Sequence, residues 1–251
     1  MADVQVIEGR CEPALMQMEP GSVQCIITSP PYNMGREYEK NTDQHSYVSW
    51  LSEIVVKCGA VLADGGSLWL QVGNLVRNGS TAPIDILIYP ALARAGLTLR
   101  NRVIWEMDHG THAKRRLSPR HEVILWATKG DDYLFDLDPI RVPQKWPGKK
   151  HFKGPKKGEL SCNPLGKNPG DVWSITQVKN NHPEKTAHPC QFPEELVRRC
   201  VLATTKPGDL VVDPFGGSGT VGRVCADLGR RAVLIEREPK YVEIARRRIA
   251  A

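Results

Sequence analysis

A glycine-rich turn near the C-terminal end constrains this fold more than any other segment. It reads Asp213-Pro214-Phe215-Gly216-Gly217-Ser218-Gly219-Thr220, follows the apolar run Leu210-Val211-Val212 and opens a helical pattern. Gly217, Gly219 and Gly222 satisfy a G-x-G-x-x-G spacing, with acidic Glu236 closing the next apolar run. Such a turn lets a nucleotide-like ligand approach the backbone, and a carboxylate one strand further on can grip ribose hydroxyls. About thirty residues follow Gly222 in the 251-residue chain, too few for the two βαβαβ halves of a dinucleotide fold. The strands that complete the sheet must therefore come from the N-terminal part. No Gly-Lys-Ser/Thr follows the turn, which sets it apart from a P-loop. Asp213 at the strand tip suits a cationic ligand group better than a pyrophosphate.

Apolar runs predict strands at residues 4–7, 25–27, 67–72, 101–105, 122–127, 210–212 and 232–235. Helical periodicity falls at 47–62, 84–95, 193–203, 220–228 and 239–249. Alternation of this kind predicts an α/β fold, a mostly parallel seven-stranded sheet with helices on both faces. From Gly130 to Lys185 the rhythm breaks into a stretch rich in Pro, Gly, Lys and Asn. Its cations include Arg141, Lys149, Lys150, Lys153, Lys156 and Lys157, interleaved with Trp146, His151, Phe152 and Trp173. A solvated insertion is the plain interpretation; a phosphate-contacting module is the sharper one. The charge sum of +6 fits a polyanionic partner. No apolar run approaches the roughly 18 to 20 residues that cross a bilayer, and the first residues lack a secretory pattern, so no membrane partner is expected. Seven scattered cysteines without a CxxC pair argue against a disulfide framework and for a reducing, cytoplasmic setting.

The other informative segment is Cys25-Ile26-Ile27-Thr28-Ser29-Pro30-Pro31-Tyr32, a strand running into a rigid loop with an aromatic tip. Two prolines fix φ and restrict their predecessors, so the carbonyls point in set directions with little entropy left to lose. Ser29 and the Pro30 carbonyl supply acceptors and Tyr32 a flat face, which is what an exocyclic aromatic amine needs.

With both motifs in this order, the chain resembles the β-class of DNA amino-methyltransferases, which modify N4 of cytosine or N6 of adenine. Thr28 to Tyr32 matches the family's catalytic motif, and Asp213 to Gly219 its cofactor turn. Lys185-Thr186-Ala187-His188-Pro189 with Phe192-Pro193 matches the segment at the methionine end of the cofactor. Arg120-His121-Glu122-Val123-Ile124 resembles a motif beside the target-base pocket. The chain departs from the family at Gly9-Arg10, where Gly-Asp is usual, and at Gln24, where an acid often stands.

The resemblance implies a Rossmann-like S-adenosylmethionine-dependent fold with circularly permuted motifs. Its parts are a catalytic half (1–129), a basic target-recognition insertion (130–184) and a cofactor-binding half (185–251). It assigns catalysis to Ser29, Pro30, Pro31 and Tyr32. Contacts to S-adenosyl-L-methionine fall to Asp213, Phe215, Gly217, Gly219, Thr220, Glu236, Thr186 and His188. Arg115, Arg116, Arg120, Lys149, Lys150 and Lys153 are the candidate contacts to double-stranded DNA. The reaction implied is in-line methyl transfer to the amine of a flipped base. Ser-Pro-Pro-Tyr points to cytosine N4, with adenine N6 and an inactive nucleic-acid-binding relative as the alternatives. A homodimer and a cognate restriction endonuclease are compatible with the family. Pro189-Cys190-Gln191 resembles a cytosine-C5 nucleophile but precedes the glycine turn instead of following it, and His109-x-x-His112 lacks the further ligands of a metal site. No metal is expected.

Overall fold

The computed structural model describes residues 3–35, 37, 39, 42–110 and 112–251. In chain order the elements are β1 (Val4–Glu8), α1 (Cys11–Gln17), β2 (Val23–Thr28), α2 (Gln44–Val61), β3 (Leu62–Val72), β4 (Asn74–Arg77), β5 (Ser80–Pro83) and α3 (Ile84–Arg94). There follow β6 (Leu97–Glu106), β7 (His121–Lys129), β8 (Val172–Ser174), α4 (Glu194–Thr204), β9 (Leu210–Asp213), α5 (Thr220–Asp227), β10 (Arg231–Glu236) and α6 (Pro239–Ala250).

All seven expected strands enter one sheet, but among the described residues the sheet has eight, in the order β1-β10-β9-β2-β3-β7-β6-β8. Among these eight described strands, β7 alone runs antiparallel to its neighbours. The eighth strand is Val172–Ser174 of the basic stretch, which pairs Trp105 with Trp173. Three residues are too few to announce a strand by alternation, so periodicity missed it. The β4–β5 hairpin and the seven-residue α1 escaped for the same reason.

Both faces of the sheet are covered, and strand residues sort between them with period two. Ile26, Leu68, Leu70, Val72, Leu125 and Val212 pack under α1, α2 and α3. Cys25, Ile27, Trp69, Trp126, Val211 and Leu234 face α4 and α5. The second core includes Trp173, which is 3% exposed. It lies 6.0 Å from Trp69 between ring centres and beneath the Arg199 guanidinium at 4.8 Å. Trp173 is therefore a core residue, not a stacking platform for nucleic acid, because β8 turns its indole into the sheet's covered face. Among the described residues no helix is long and apolar enough to cross a membrane.

One topological point decides where a ligand can sit. From β9 the chain crosses to β10 on one side, and from β2 it crosses to β3 on the other. The two strands are themselves parallel neighbours, with Cys25 opposite Val211 and Ile26 opposite Val212. Crossovers that diverge from adjacent parallel strands leave a crevice at their C-terminal ends, the switch point where α/β sheets bind ligands. The two motif-bearing loops both begin there.

Candidate active site

At the crevice lies a cavity of about 560 Å³, within the roughly 300–1,000 Å³ common to small-molecule sites. Ser29, Pro30, Pro31 and Tyr32 line one side, and Phe215, Gly217, Thr220, Glu236 and His188 line the other. Head and tail of the chain thus share one cavity, as the permuted motif order requires.

The Ser-Pro-Pro-Tyr loop is held on all sides. The Tyr47 hydroxyl of α2 donates to the Pro31 carbonyl at 2.9 Å. Asn33, in the left-handed region at φ 58°, exchanges two hydrogen bonds with the Thr42 backbone through its amide. Asn tolerates that conformation better than most residues, which suits it to end the loop. The Tyr32 hydroxyl lies 3.0 Å from Ser29 Oγ and donates to Glu122 Oε2 at 2.9 Å. Gln71 Nε2 donates to the same carboxylate oxygen at 2.5 Å and to Tyr32 at 3.2 Å. Burial pushes the Glu122 carboxyl up, against the hydrogen bonds from Gln71 and Tyr32. The charge partner of Tyr32 thus arrives from β7, ninety residues away in sequence.

On the opposite wall, Glu236 accepts from Gly217 N and Glu238 N, both at 2.8 Å. A carboxylate has about four lone-pair sites, so two backbone donors fix its orientation and leave capacity for further hydroxyl donors. Gly217 has φ 49°, and a Cβ there would sit 3.3 Å from His188 Nε2, so glycine admits both the turn and the imidazole. His188 is buried edge-on against Tyr241 at 4.3 Å. Burial pulls its pKa down to about 4, so the ring is neutral near pH 7. Thr220 Oγ1 accepts from Arg248, whose other nitrogen bonds Glu194 at 2.6 Å. The last helix therefore ties the glycine turn to the start of α4.

Three residues expected at the cofactor do not line the cavity. Asp213 is 1% exposed. Its Oδ1 accepts from Thr28 Oγ1 at 2.7 Å and from Phe215 N at 3.0 Å. The carboxyl thus latches the two motif loops together beneath the site and is not presented to a cationic ligand. Its burial, reinforced by Glu236, outweighs those two hydrogen bonds and pushes its pKa up to about 7. Gly219 is the positive-φ cap of α5, where a Cβ would lie 2.8 Å from Ala245 Cα. Its glycine serves the packing of α6. Thr186 instead hydrogen-bonds Gln191, with Oγ1 to Oε1 at 3.1 Å.

The cavity also gathers residues that motif spacing did not single out. Gly9 and Arg10 after β1 and Glu12 in the first turn of α1 border it. Glu12 is held down to about 2 by the Arg10 guanidinium and accepts from Trp50 Nε1 at 3.0 Å. An acid thus stands two residues beyond the Gly-Arg departure. Trp50 meets Phe215 at 5.7 Å between ring centres, giving the cavity an aromatic flank. Gln71, Trp105 and Gln177 line it from the sheet side. Cys190 is exposed and also borders it.

The expected DNA contacts lie elsewhere. Arg115, Arg116 and Arg120 sit between β6 and β7, and Lys149, Lys150 and Lys153 sit on an exposed hairpin closed by the Lys150–Leu160 bridge. None of the six lines the cavity. Among the described residues, no group of three His, Cys, Asp or Glu side chains is arranged to hold a metal.

A family profile described as DNA methylase, of the N6/N4 type, matches residues 23–247. The type II methyltransferase M.BglII of Bacillus subtilis is 47% identical over 92% of the chain, which spans 64% of that protein's length. M.ScaI of Streptomyces caespitosus is 35% identical, covering 100% of the chain and 82% of its own length. The DNA adenine methyltransferase YhdJ of Escherichia coli (strain K12) is 30% identical, over 97% and 82% respectively. Among solved structures, the cytosine-N4-specific PvuII DNA methyltransferase superposes with a TM-score of 0.80 at 21% identity, covering 99% of this chain and 86% of that one.

Proposed function

The chain belongs to the DNA methylase family, and on that footing we propose that it transfers a methyl group from S-adenosyl-L-methionine to the exocyclic amine of a base flipped out of duplex DNA, with cytosine N4 as the target. The observation that carries this is the shared cavity, with Ser29 and Tyr32 on one wall and Phe215 and Glu236 on the other.

The residues present suit that cofactor. Glu236 is pre-oriented at the end of β10 with lone pairs to spare for ribose hydroxyls. Trp50, Phe215 and Ile235 offer apolar walls for an adenine ring. His188, Gly217 and Thr220 are the candidates for the methionine end; Asp213 and Gly219 hold the glycine turn from behind, and Thr186 holds the His188 segment. When bound, the cofactor supplies a methyl group on a sulfonium, already an activated leaving group. The chain's own task is then orientation and exclusion of water. Ser29 Oγ and the Pro30 carbonyl accept the amine hydrogens and favour a pyramidal nitrogen with its lone pair aimed across the cavity. Tyr32 offers its ring to the base.

The insertion over 130–184 acts as the target-recognition part, with Lys149, Lys150 and Lys153 on phosphates and Arg115, Arg116 and Arg120 at the duplex nearer the site. The test is to incubate the protein with labelled cofactor and mixed-sequence duplex, then digest to nucleosides and weigh them. N4-methylcytosine supports the reading; N6-methyladenine moves the target to the second base, a reading favoured by the 30% identity with YhdJ; no transfer removes it. The type II names of M.BglII and M.ScaI support a cognate restriction endonuclease and a bacterial cytoplasm as the setting. Light scattering on the purified chain decides between monomer and homodimer.

A further inference from the structure

The hydrogen bonds behind Ser29 have a direction. Ionised Glu122 has no hydrogen to give, so the Tyr32 hydroxyl donates to it, at 2.9 Å. The phenol oxygen has then used its only hydrogen and can only accept, from Gln71 Nε2 at 3.2 Å and from Ser29 Oγ at 3.0 Å. Ser29 in turn directs its hydrogen away from the cavity and keeps its lone pairs toward it. A single carboxylate on β7 thereby decides that the serine meets a ligand as an acceptor.

Resting on the methyltransferase reading above, we propose that Glu122 is the positioning residue and terminal proton acceptor of that reaction, acting through Tyr32 and Ser29. The nitrogen lone pair forms the new N–C bond, while the pair of the broken S–C bond stays on sulfur. The nitrogen then carries one proton too many. That proton passes to Ser29 Oγ as the serine's own passes to Tyr32 and the phenol's to the Glu122 carboxylate. The N–H bonding pair returns to nitrogen, and the relay ends with neutral Ser29 and Tyr32 and a carboxylic acid at Glu122. Exchange with solvent after product leaves resets it.

Three further features fit this role. Gln71 is 5% exposed and its Oε1 is buried without a hydrogen-bond partner among the described residues. Its amide is held with Nε2 on Glu122 even though the acceptor end gains nothing, so the clamp on the carboxylate decides its orientation. Gly73, the residue after β3, leaves room for the phenol: a Cβ there would stand 3.1 Å from Tyr32 Cε2. The groups facing Glu122 are Tyr32 from the loop after β2, Gln71 from β3 and His121 beside it on β7, with Tyr47 of α2 behind Tyr32. Tyr32, Gln71 and His121 favour the carboxylate and burial opposes it; burial prevails and raises its proton affinity, which suits an acceptor.

The experiment compares wild type, Glu122→Gln, Glu122→Asp and Tyr32→Phe in single-turnover methylation of one duplex from pH 5 to 9, with cofactor binding by calorimetry. Glu122→Gln can still accept from Tyr32 and Gln71 through its amide oxygen, but an amide does not take up a proton near neutral pH, so the relay loses its terminus. The expected loss in kcat is about 10²-fold or more, with cofactor Kd and DNA KM within about twofold. Glu122→Asp recovers part of the rate, and Tyr32→Phe loses rate without losing the cofactor. The wild-type rate falls on acidification as the carboxylate protonates above the usual glutamate range, and Glu122→Gln lacks that limb. Independently of turnover, infrared titration of the folded protein shows a carboxyl band in wild type that is absent in Glu122→Gln. A Glu122→Gln enzyme with full kcat and an intact acid limb overturns the relay alone. So does one whose kcat loss is matched by lost cofactor and DNA binding, or one that keeps the wild-type carboxyl band. A wild-type protein that methylates no duplex removes the parent reading and the relay together.

Discussion

The cavity wall and the basic hairpin of the insertion are built to opposite specifications. Around the cavity, each key side chain is oriented by neighbours: Ser29 by Tyr32, Tyr32 by Glu122 and Gln71, and Glu236 by two backbone N–H groups. In the hairpin, Lys149, Lys150 and Lys153 are exposed, as are Trp146 at 66% and Phe152 at 83%. Leu117, beside Arg115 and Arg116 on the loop between β6 and β7, is 93% exposed. Reacting groups need fixed geometry, because small misplacements cost large factors in rate. Charges that meet a polyanion gain mainly by releasing counterions, which tolerates mobile, hydrated side chains. Order is thus concentrated at the cavity proposed to hold the reacting groups, and exposure on the hairpin proposed to meet the duplex.

The two regions therefore fail differently when altered, and the largest expected effect tests the wall. Ser29→Ala removes the acceptor facing the amine and lowers single-turnover methylation about 10²- to 10⁴-fold while calorimetry still finds cofactor binding. A fully active Ser29→Ala enzyme breaks the contrast at its centre. Asp213→Asn probes the latch beneath the wall. Its folded pKa of about 7 lies above the unfolded value of about 3.9, so the folded state binds the proton more tightly. Wild-type stability therefore declines as pH rises from about 4 through 7, by up to about 4 kcal/mol, and the amide variant escapes that decline. Urea unfolding at pH 5 and pH 8 measures it. Lost cofactor binding with unchanged stability would instead return Asp213 to the ligand.

Glu236→Ala removes an oriented charged acceptor, so cofactor affinity falls about 10- to 100-fold, the equivalent of about 1.5–3 kcal/mol. Calorimetry reads the Kd, and an unchanged value would detach the ribose from β10. The smallest effect belongs to the hairpin. Replacing Lys149, Lys150 and Lys153 with alanine weakens duplex binding about tenfold at moderate salt and leaves single-turnover kcat at saturating DNA unchanged. The slope of log affinity against log salt becomes shallower by about 3. Fluorescence anisotropy across a salt series tests this, and an unchanged slope would move the phosphate grip to Arg115, Arg116 and Arg120.

Much of this organisation is legible in the sequence. Seven strands and the two motif loops follow from local apolar periodicity and from Pro and Gly, whose effects are local to the chain. The juxtaposition of Tyr32 and Phe215 in one cavity accords with the motif order, one loop coming from each half of the fold. What escaped depends on distant partners. Asp213 reads as a ligand group until Thr28 is found against it, 185 residues away. Trp173 reads as an exposed aromatic in a lysine-rich stretch until β8 turns it inward. Gln71 carries no signal at all in its neighbourhood of sequence, and Glu122 reads only as part of a motif beside the base pocket until β7 brings it to Tyr32.

The pairing of β2 with β9 also bears on how the protein comes into being. During synthesis β2 is made before β3 to β8, and β9, the strand that covers its other edge, only after them. Until then a stretch of Val23, Cys25, Ile26 and Ile27 has β3 on one side and bare backbone donors and acceptors on the other. Edges of that kind invite pairing with foreign strands, and contacts so remote in sequence close slowly. The nascent protein thus carries an aggregation hazard in the strand that leads into the Ser-Pro-Pro-Tyr loop, and fragments ending before β9 lack the wall that faces that loop.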